Sequence, residues 1–354
     1  MQYFNNLHPK FKLNGVSYSQ ENLFNYAQEL TGKSNFEQQI GVFIIDWLSD
    51  ENLITVNTSG STGKPKSILL QKQQMVNSAV ATGDFFELKP SCKALLCLPC
   101  DYIAGKMMLV RAMILGWELD CVEPNTKPLA EIDETYDFCA MIPLQVQNSL
   151  DELSLIKKLI IGGAAVSYNL RNQIKGIPTQ AFETYGMTET ITHIAVRRIT
   201  GDTETTFTAL PSVYFKQDKR NCLVIKADKV SNNEIITNDV VTLVSKTKFN
   251  WLGRFDNVIN SGGIKLNPET LESKLAAYIS NSFFVASIPS VTLGQKLILV
   301  LEGETNMHLL LKTIQASSTL KKHELPKEIH TLPKFSWTEN GKIQRSKTLE
   351  FVVK

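Results

Sequence analysis

The chain has 354 residues, of which 43% are hydrophobic and 20% are charged. At roughly 150 residues per domain, this length predicts two domains, or one large body with a smaller partner, and a substantial core. The 37 basic and 35 acidic residues leave a formal net charge of +2. That balance excludes binding of nucleic acid through bulk electrostatics, so any anion site must be local.

The opening residues lack the apolar stretch of a signal peptide, and no apolar run approaches the roughly 18–20 residues that span a bilayer. We therefore expect a soluble, cytoplasmic protein without membrane insertion. Six cysteines in so long a chain do not predict a disulfide scaffold, so reduced thiols are expected. Cys97 and Cys100 have the spacing of a metal or redox pair, but no second pair or histidine cluster accompanies them.

The first 182 residues combine helical and strand-like patterns. Two helices are predicted in the first fifty residues, with Ser17 or Ser19 as the N-cap of the first and an amphipathic run over 36–48 as the second. Short apolar runs then alternate with helical patterns over 71–88, 105–116 and 166–174, which predicts a largely parallel sheet covered by helices. The strand-like runs are LITVN, SILL, ALLCL, FCAMI and KLIIG.

After residue 194 the pattern changes to short runs rich in Thr and Val, which predict an antiparallel subdomain. These runs are AVRRI, ETTFTAL, CLVIKA, EIITN and VVTLVS, and WLGRFDN at 251–257 ends them. A helix over 267–278, strands FFVASIP and LILVLE, a helix over 307–317 and a polar tail then predict a compact α+β unit. The fold class is therefore α/β, with a large N-terminal domain of layered sheets and helices and a small α+β C-terminal domain.

A polar loop, TSGSTGKPK at 58–66, follows the first predicted strand. Its hydroxyls and backbone amides can bind phosphate oxygens, its glycines permit close approach and its lysines supply charge. Only two residues separate Gly60 from Gly63 and Lys64, and Pro65 replaces the Ser/Thr that would hold Mg²⁺, so this is not a Walker A loop. Taken alone, it could also be a solvated turn.

Three further motifs follow in order: ETYGMTE at 183–189, GRFD at 253–256 with its continuation to 272, and NGKIQR at 340–345. With the polar loop, they resemble the acyl-adenylate-forming superfamily of acyl- and aryl-CoA ligases, peptide-synthetase adenylation domains and luciferases. The resemblance implies an adenylation domain over 1–253, a hinge over 254–257 and a mobile C-terminal domain over 258–354. The N-terminal region before the loop is shortened.

The resemblance also implies site residues. Tyr185 stacks on adenine, Asp239 and Arg254 contact the ribose, and Asn238 stands where the superfamily has glycine. The catalytic residues are Lys342, Thr188 and Glu189, and Glu189 is the metal ligand for Mg²⁺. The residues assigned to ATP are Thr58, Ser59, Gly60, Ser61, Thr62, Gly63, Lys66, Gly163, Ala164, Tyr185, Gly186, Thr188, Asp239 and Arg254.

Asp256 matches the hinge residue, and Gly262, Gly263 and Lys265 match the face presented to CoA. For the acid, we assign Tyr102, where relatives often have histidine, together with Lys106 and His193. Arg111 adds a further cation near the same segments, more positive charge than a fatty-acid tunnel needs. A second carboxylate on the substrate would explain these cations; alternatively, Lys106 and Arg111 lie on a helix face pointing into water.

The implied reaction joins a small carboxylic acid to AMP and then to CoA, with ATP, Mg²⁺ and CoA as cofactor and cosubstrates. The motifs MTET and WTENGK are similar to those of o-succinylbenzoate-CoA ligases of menaquinone biosynthesis. Alternatives are another aryl- or acyl-CoA ligase, an enzyme that loads a carrier protein, and a non-catalytic nucleotide-binding relative. No nucleic-acid partner is expected, and a homodimer is a candidate assembly.

Overall fold

The structure is a computed structural model that describes residues 6–57, 67–337 and 343–352. The predicted phosphate loop at 58–66 and Lys342 lie outside the described residues. The chain divides into two compact units. The first comprises Met1–Val166, Gln173–Tyr214 and Ile225–Ile235, and the second comprises Ser167–Asn172, Phe215–Val224 and Ile236–Lys354. The predicted hinge at 254–257 falls within the second unit, and its motion stays a prediction.

The helices that begin before residue 170 follow the predicted patterns closely, except the one over Pro143–Asn148, which was not predicted. Ser19 caps the first helix by accepting a hydrogen bond from the backbone of Asn22 at 3.2 Å, while Ser34 and Glu37 form a capping box on the second. Both devices satisfy amides that lack intrahelical partners. The helices are α1 (Gln20–Leu30), α2 (Asn35–Leu48), α3 (Lys72–Phe85), α4 (Ile103–Leu115), α5 (Pro143–Asn148) and α6 (Tyr168–Ile174).

The main sheet of the first unit has a parallel centre and antiparallel flanks. Strands β6, β5, β7, β8 and β9 pair in parallel, in that spatial order, and β10 pairs antiparallel with β9 and β11. The strands up to residue 209 are β1 (Lys12–Leu13), β2 (Val16–Ser17), β3 (Leu53–Asn57), β4 (Ser67–Gln71), β5 (Lys93–Leu96), β6 (Glu118–Cys121), β7 (Tyr136–Met141), β8 (Ile156–Ile161), β9 (Gln180–Gly186), β10 (His193–Arg198) and β11 (Phe207–Ala209).

Strands β3 and β4 correct one expectation. They were predicted to belong to the parallel sheet, but they pair antiparallel with each other in a separate two-stranded sheet. The connection over 58–66 is shorter than the dozen or so residues that a parallel crossover needs, so the two runs can only form a hairpin. The polar loop therefore connects the two strands of this hairpin.

The second unit contains two groups of strands. The first group has the order β12 (Tyr214–Gln217), β13 (Cys222–Lys226), β14 (Ile235–Ser245) and β15 (Lys248–Arg254). The second group contains β16 (Ile259–Ser261), β17 (Ile264–Leu266), β18 (Phe283–Ser290), β19 (Gly294–Glu302) and β20 (Glu328–Leu332), with β18 antiparallel and β20 parallel to β19. The helices are α7 (Pro268–Leu275), α8 (Met307–Ala316) and α9 (Arg345–Leu349).

Strand β14 corrects a second expectation, since EIITN and VVTLVS were predicted as two strands. Two polar residues at their junction are buried and paired: Thr237 donates a hydrogen bond to the carbonyl of Leu223 at 2.8 Å, and Asp239 accepts one from Trp251 at 3.1 Å. Buried partners remove the cost that would otherwise end the strand. The run at 251–257 likewise continues β15 to Arg254, and the polar tail contains β20 and α9.

Strand β19 organises the core of the second unit. Leu297, Leu299 and Leu301 face one cluster with Leu271 and Leu275 of α7, and the residues between them face another cluster. The second cluster contains Phe284, Ala286, Ile298, Val300 and Phe335. A strand whose successive residues are all apolar is buried on both faces, as in parallel sheets.

The described residues show two further features that bear on function. None of their helices has the length and apolar composition needed to cross a membrane. The cysteines are free thiols, and the Sγ atoms of Cys97 and Cys139 lie 3.8 Å apart in the core.

Candidate active site

A glycine turn follows strand β8. Gly163 adopts φ +80°, a conformation that favours glycine. A Cβ atom at Gly162 would lie 2.6 Å from Oγ1 of Thr184, which itself donates a hydrogen bond to the carbonyl of Ile161 at 3.1 Å. The ends of β8 and β9 therefore approach so closely that only glycine fits, and half-buried Ala164 follows directly.

Tyr185 lies on β9 beside a series of aromatic and charged side chains. Its ring centre is 5.8 Å from that of Phe207, and the guanidinium of Arg197 lies 4.5 Å above the Phe207 ring. Arg197 pairs with the buried carboxylate of Glu183 at 2.7 Å, and Glu183 also accepts a hydrogen bond from the backbone of Val166 at 3.2 Å. Two guanidinium nitrogens of Arg197 contact the same buried carboxylate oxygen, and separating these charges is costly. This ion pair therefore fixes the platform beside Tyr185.

The loop that carries Thr188 is held by a buried hydroxyl. Thr190 is fully buried, and its Oγ1 accepts a hydrogen bond from the amide of Met187 at 3.0 Å. The same hydroxyl lies 2.9 Å from the carbonyl of Met187 and 2.7 Å from that of Thr192. Ile191 between them has φ +67° and ψ −62°, the centre of a γ-turn that strains a β-branched residue. The loop is thus held in one strained conformation.

Glu189 lies on the exposed side of this loop, in a short 3-10 helix over Thr188–Thr190. No three His, Cys, Asp or Glu side chains of the described residues group together as a metal site. Mg²⁺ usually takes only one or two carboxylates and completes its shell with water and phosphate oxygens. A single exposed carboxylate therefore fits a metal that is shared with a bound nucleotide. Gly186 precedes the loop, and a Cβ atom there would clash with the carbonyl of Thr192.

The two predicted ribose residues lie opposite each other in the second unit. Antiparallel pairing of β14 and β15 sets Asp239 against Arg254, whose Nη1 lies 3.6 Å from Asp239 Oδ1. Trp251 Nε1 donates a hydrogen bond to the same oxygen at 3.1 Å, and the amide of Asp239 donates to Thr237 Oγ1 at 3.0 Å. A carboxylate oriented in this way suits hydroxyl donors such as those of a ribose.

The predicted hinge and CoA-side residues follow in the same unit. Asp256 lies in a short 3-10 helix directly after β15, with Arg254 Nη2 3.4 Å from its Oδ2 atom. Gly262 and Gly263, at φ +58° and +81°, form the turn between β16 and β17. Lys265 follows this turn on β17 and is exposed. A Cβ atom at Gly262 would lie 3.3 Å from Cδ2 of Leu293, and the positive φ of both residues favours glycine.

Two of the residues near the predicted acid site, Arg111 and His193, are buried. Arg111 is 1% exposed, and its Nε and Nη2 atoms have no hydrogen-bond partner among the described residues. Burial, and then the charge of Arg111, hold the pKa of His193 well below its usual value. Nδ1 of His193 lies 3.2 Å from Thr192 Oγ1, while Nε2 has no partner in the described part of the chain. The alternative that Arg111 points into water is therefore wrong.

Lys106 lies in the first turn of helix α4, and Tyr102 lies just before it. The ammonium of Lys106 lies 5.0 Å from the ring centre of Phe43 on α2, and burial lowers the pKa of Lys106. Tyr102 is 38% exposed and precedes the first residue of α4. The charge of Arg111 thus acts on His193, whereas the ammonium of Lys106 lies over the ring of Phe43. The aromatic neighbour of His193 is Phe86, at 6.5 Å between ring centres.

The AMP-binding enzyme family matches residues 27–216 of this sequence. The chain belongs to the AMP-binding enzyme family. The predicted superfamily is thereby confirmed, and the large mixed sheet with its helices confirms the predicted α/β fold class, which solved structures of similar fold also support.

Individual relatives of this AMP-binding enzyme differ in their sequence identity to it and in the share of each chain that is covered. A 2-succinylbenzoate–CoA ligase from Staphylococcus aureus (strain MSSA476) is 25% identical over 323 residues, covering 82% of this chain and 65% of the relative. The chain thus spans about two thirds of the length of that curated relative. An acyl-CoA synthetase (AMP-forming)/AMP-acid ligase II-like protein from Dyadobacter fermentans has a solved structure at 35% identity, TM-score 0.62, covering 92% of this chain and 98% of its own.

A third comparison extends the likeness in fold. The o-succinylbenzoate coenzyme A synthetase of Bacillus subtilis, solved with ATP and magnesium ion, has TM-score 0.70 at 19% identity, covering 94% of this chain and 82% of its own. At this identity the likeness concerns the fold alone. The roles of individual site residues in this AMP-binding enzyme therefore stay predictions.

Sequence reasoning missed several residues that position the site. Glu183, Arg197 and Phe207 support Tyr185, and Trp251 orients Asp239. A weak signal exists for one of them, because a charged Glu183 that follows the apolar Ala181 and Phe182 in a strand requires a partner if it is buried. Nothing local identifies Arg197 as that partner.

Proposed function

We propose that this chain uses ATP to convert a carboxylic acid into its acyl-AMP and then transfers the acyl group to CoA. In the first step a carboxylate oxygen attacks the α-phosphorus of ATP and pyrophosphate leaves. In the second step the CoA thiol displaces AMP. Membership of the AMP-binding enzyme family supports this reaction, as do the rigid loop carrying Thr188 and Glu189 and the oriented carboxylate of Asp239.

Each residue has a defined part in this proposal. Thr188 binds the α-phosphate, Tyr185 stacks on adenine, and Asp239 with Arg254 holds the ribose. Glu189 would hold Mg²⁺, which neutralises phosphate charge when it is bound. Lys342, outside the described residues, would stabilise the charge that develops during attack.

We further infer that the acid carries a second anionic group and an aromatic ring, as 2-succinylbenzoate does. The observation that carries this inference is the fully buried guanidinium of Arg111, two of whose nitrogens lack partners among the described residues. A buried, uncompensated cation is unfavourable, and a carboxylate is its natural partner. The charge of Arg111 helps to keep the pKa of His193 low, and the ring of Phe86 lies 6.5 Å from that of His193. Because Arg111 is only 1% exposed, the acid must open a path to reach it.

The test is a panel of acids read by pyrophosphate exchange and AMP release. 2-Succinylbenzoate should react, whereas benzoate and dodecanoate, which lack the second carboxylate, should not. Arg111→Met should raise KM for 2-succinylbenzoate about 10- to 100-fold, the loss of one charged hydrogen-bond pair. Its KM for ATP should be unchanged, and Arg111→Lys should lie between Met and the original residue. Equal turnover of benzoate, or an unchanged KM in Arg111→Met, would contradict the dicarboxylate assignment.

A second experiment separates the reaction from its alternatives. Lys342→Ala should abolish adenylate formation while ATP binding remains, because the proposal gives this lysine a role only in the transition state. Adding free CoA to preformed adenylate should yield a thioester. Formation of adenylate without a thioester would favour a carrier protein as acceptor. The absence of acid-dependent exchange with every acid would favour a non-catalytic role.

A further inference from the structure

Asn238 connects the predicted ribose residues with the predicted hinge residue. Its Nδ2 atom lies 3.2 Å and 3.4 Å from the two carboxylate oxygens of Asp256. Its Oδ1 atom accepts a hydrogen bond from Arg220 Nη1 at 2.8 Å. The neighbouring residue is Asp239, and the sequence resemblance predicts glycine, which has no side chain, where Asn238 stands. The contact with Asp256 therefore depends on a side chain that the motif's glycine lacks.

The chemistry of the two partners fixes the orientation of the Asn238 amide. Arginine only donates hydrogen bonds, so it must face the carbonyl oxygen of the amide. An ionised carboxylate only accepts them, so Asp256 must face the amide nitrogen. A flipped amide would oppose donor to donor and acceptor to acceptor. The side chain therefore bridges a cation and an anion in a single orientation.

Arg220 is itself held on several sides. Its Nε donates to Asp218 Oδ2 at 2.7 Å, and Nη2 donates to the carbonyl of Thr237 at 3.1 Å. Its guanidinium lies 5.2 Å from the ring centre of Phe255, which directly precedes Asp256. This cation–π contact is a second link to the same segment. Movement of 255–257 away from β14 must break both links.

The other face of the hinge is held by helix α7. Thr270 Oγ1 donates to the carbonyl of Leu252 at 2.7 Å, and Glu269 accepts a hydrogen bond from Asn257. A Cβ atom at Gly253 would clash with the Glu269 carboxylate. The Asn238 contacts are additional to them.

We propose that Asn238 is a positioning residue: with Arg220 and Asp256 it forms a latch that stabilises one setting of the hinge and so sets the balance between the two half-reactions. The half-reactions belong to the proposed function, on which this part of the inference rests. The latch itself is a structural claim about residues 220, 238 and 254–258. Its loss should therefore affect the two half-reactions in opposite directions, and should also loosen the hinge backbone.

Two variants test the latch. Asn238→Gly removes the bridging side chain. Asn238→Asp keeps its shape and its pairing with Arg220 but places a carboxylate against Asp256. Asn221→Gly is the matched control, since Asn221 has φ +62° in the neighbouring turn, where glycine is readily accepted.

Three measurements are made on the full chain. They are the adenylate-forming rate from pyrophosphate exchange, the thioester-forming rate from preformed adenylate and CoA, and hydrogen exchange of peptides covering 254–260. We expect the ratio of the two rates to change about fivefold in Asn238→Gly, the shift that about 1 kcal/mol produces at 1.4 kcal/mol per tenfold. Asn238→Asp should change it further in the same direction. The amide of Val258, bonded to the carbonyl of Phe255 at 3.2 Å, should exchange faster in both variants but not in Asn221→Gly.

Two outcomes would overturn the latch. One is an equal fall of both half-reactions, which indicates a general structural defect. The other is unchanged hydrogen exchange at 254–260 in both Asn238 variants. If the unmodified chain carried out neither half-reaction, the proposed function would fail, but hydrogen exchange would still decide whether Asn238 holds the hinge.

Discussion

Thr190→Val tests whether one buried hydroxyl positions the loop that carries Thr188 and Glu189. Valine has the same shape, so the change removes hydrogen bonds without opening a cavity. The hydroxyl proton can serve only one of its two acceptors, the carbonyls of Met187 and Thr192, at any moment. The substitution therefore removes two hydrogen bonds, one donated and one accepted from the Met187 amide. At about 1 kcal/mol each, the loss is about 2 kcal/mol.

Release of strain offsets part of that loss. Ile191 adopts φ +67° only because the turn around it is closed, and opening the turn returns about 1 kcal/mol. We therefore expect the free energy of unfolding to fall by about 1 kcal/mol net. Activity should fall further, because a displacement of about 1 Å in a catalytic loop can reduce rates about 100-fold.

The assay pairs urea denaturation with pyrophosphate exchange. Thr190→Ser is the control, because it keeps the hydroxyl and should retain both stability and most of the activity. We expect the catalytic efficiency of Thr190→Val to lie at least about tenfold below that of Thr190→Ser. Equal activity of the Val and Ser variants would refute the positioning role of Thr190. Equal stability of the two variants would refute the claim that the hydrogen bonds of the Thr190 hydroxyl stabilise the fold.

Three further predictions concern other side chains that are buried or paired. His193 stays neutral in the folded chain but takes up a proton below about pH 6.5 when unfolded. Stability should therefore fall by about 1 kcal/mol from pH 6.5 to 5.5, and His193→Gln should remove this part of the pH dependence of Tm. Trp251→Phe removes the donor to Asp239 and should raise KM for ATP about fivefold without changing KM for the acid; an unchanged KM for ATP would contradict the ribose assignment. Arg345→Ala breaks the 2.7 Å pair with Glu272 and should lower the free energy of unfolding, measured by urea denaturation, by about 2 kcal/mol. This is less than for a fully buried pair because both side chains keep some solvent contact. Adding Glu272→Gln should recover part of the lost stability, and no recovery would exclude the unpaired charge of Glu272 as the cause.

Local sequence determined much of the fold. The boundaries of α2, α4 and α8 follow from periodicity and capping chemistry, which involve residues within a few positions of each other. The cap of α1 was narrowed to Ser17 or Ser19, and the structure shows Ser19. The motifs at 183–189 and 253–256 identified the superfamily because their residue types recur at fixed spacing. The hydrophobic periodicity did not predict β14 as a single strand, because its buried polar residues resemble those of a turn.

The tertiary structure decided which side chains meet. Periodicity on α4 leaves the direction of Arg111 open, between solvent and core, and only packing against the sheet buries it near His193. Glu183 and Arg197 lie on two different strands, and their pairing depends on the register of β9 with β10. The same holds for Asn238 and Asp256, which antiparallel pairing of β14 with β15 brings together. Sequence spacing sets the face on which a residue lies, whereas partners and burial depend on contacts between segments that are far apart along the chain.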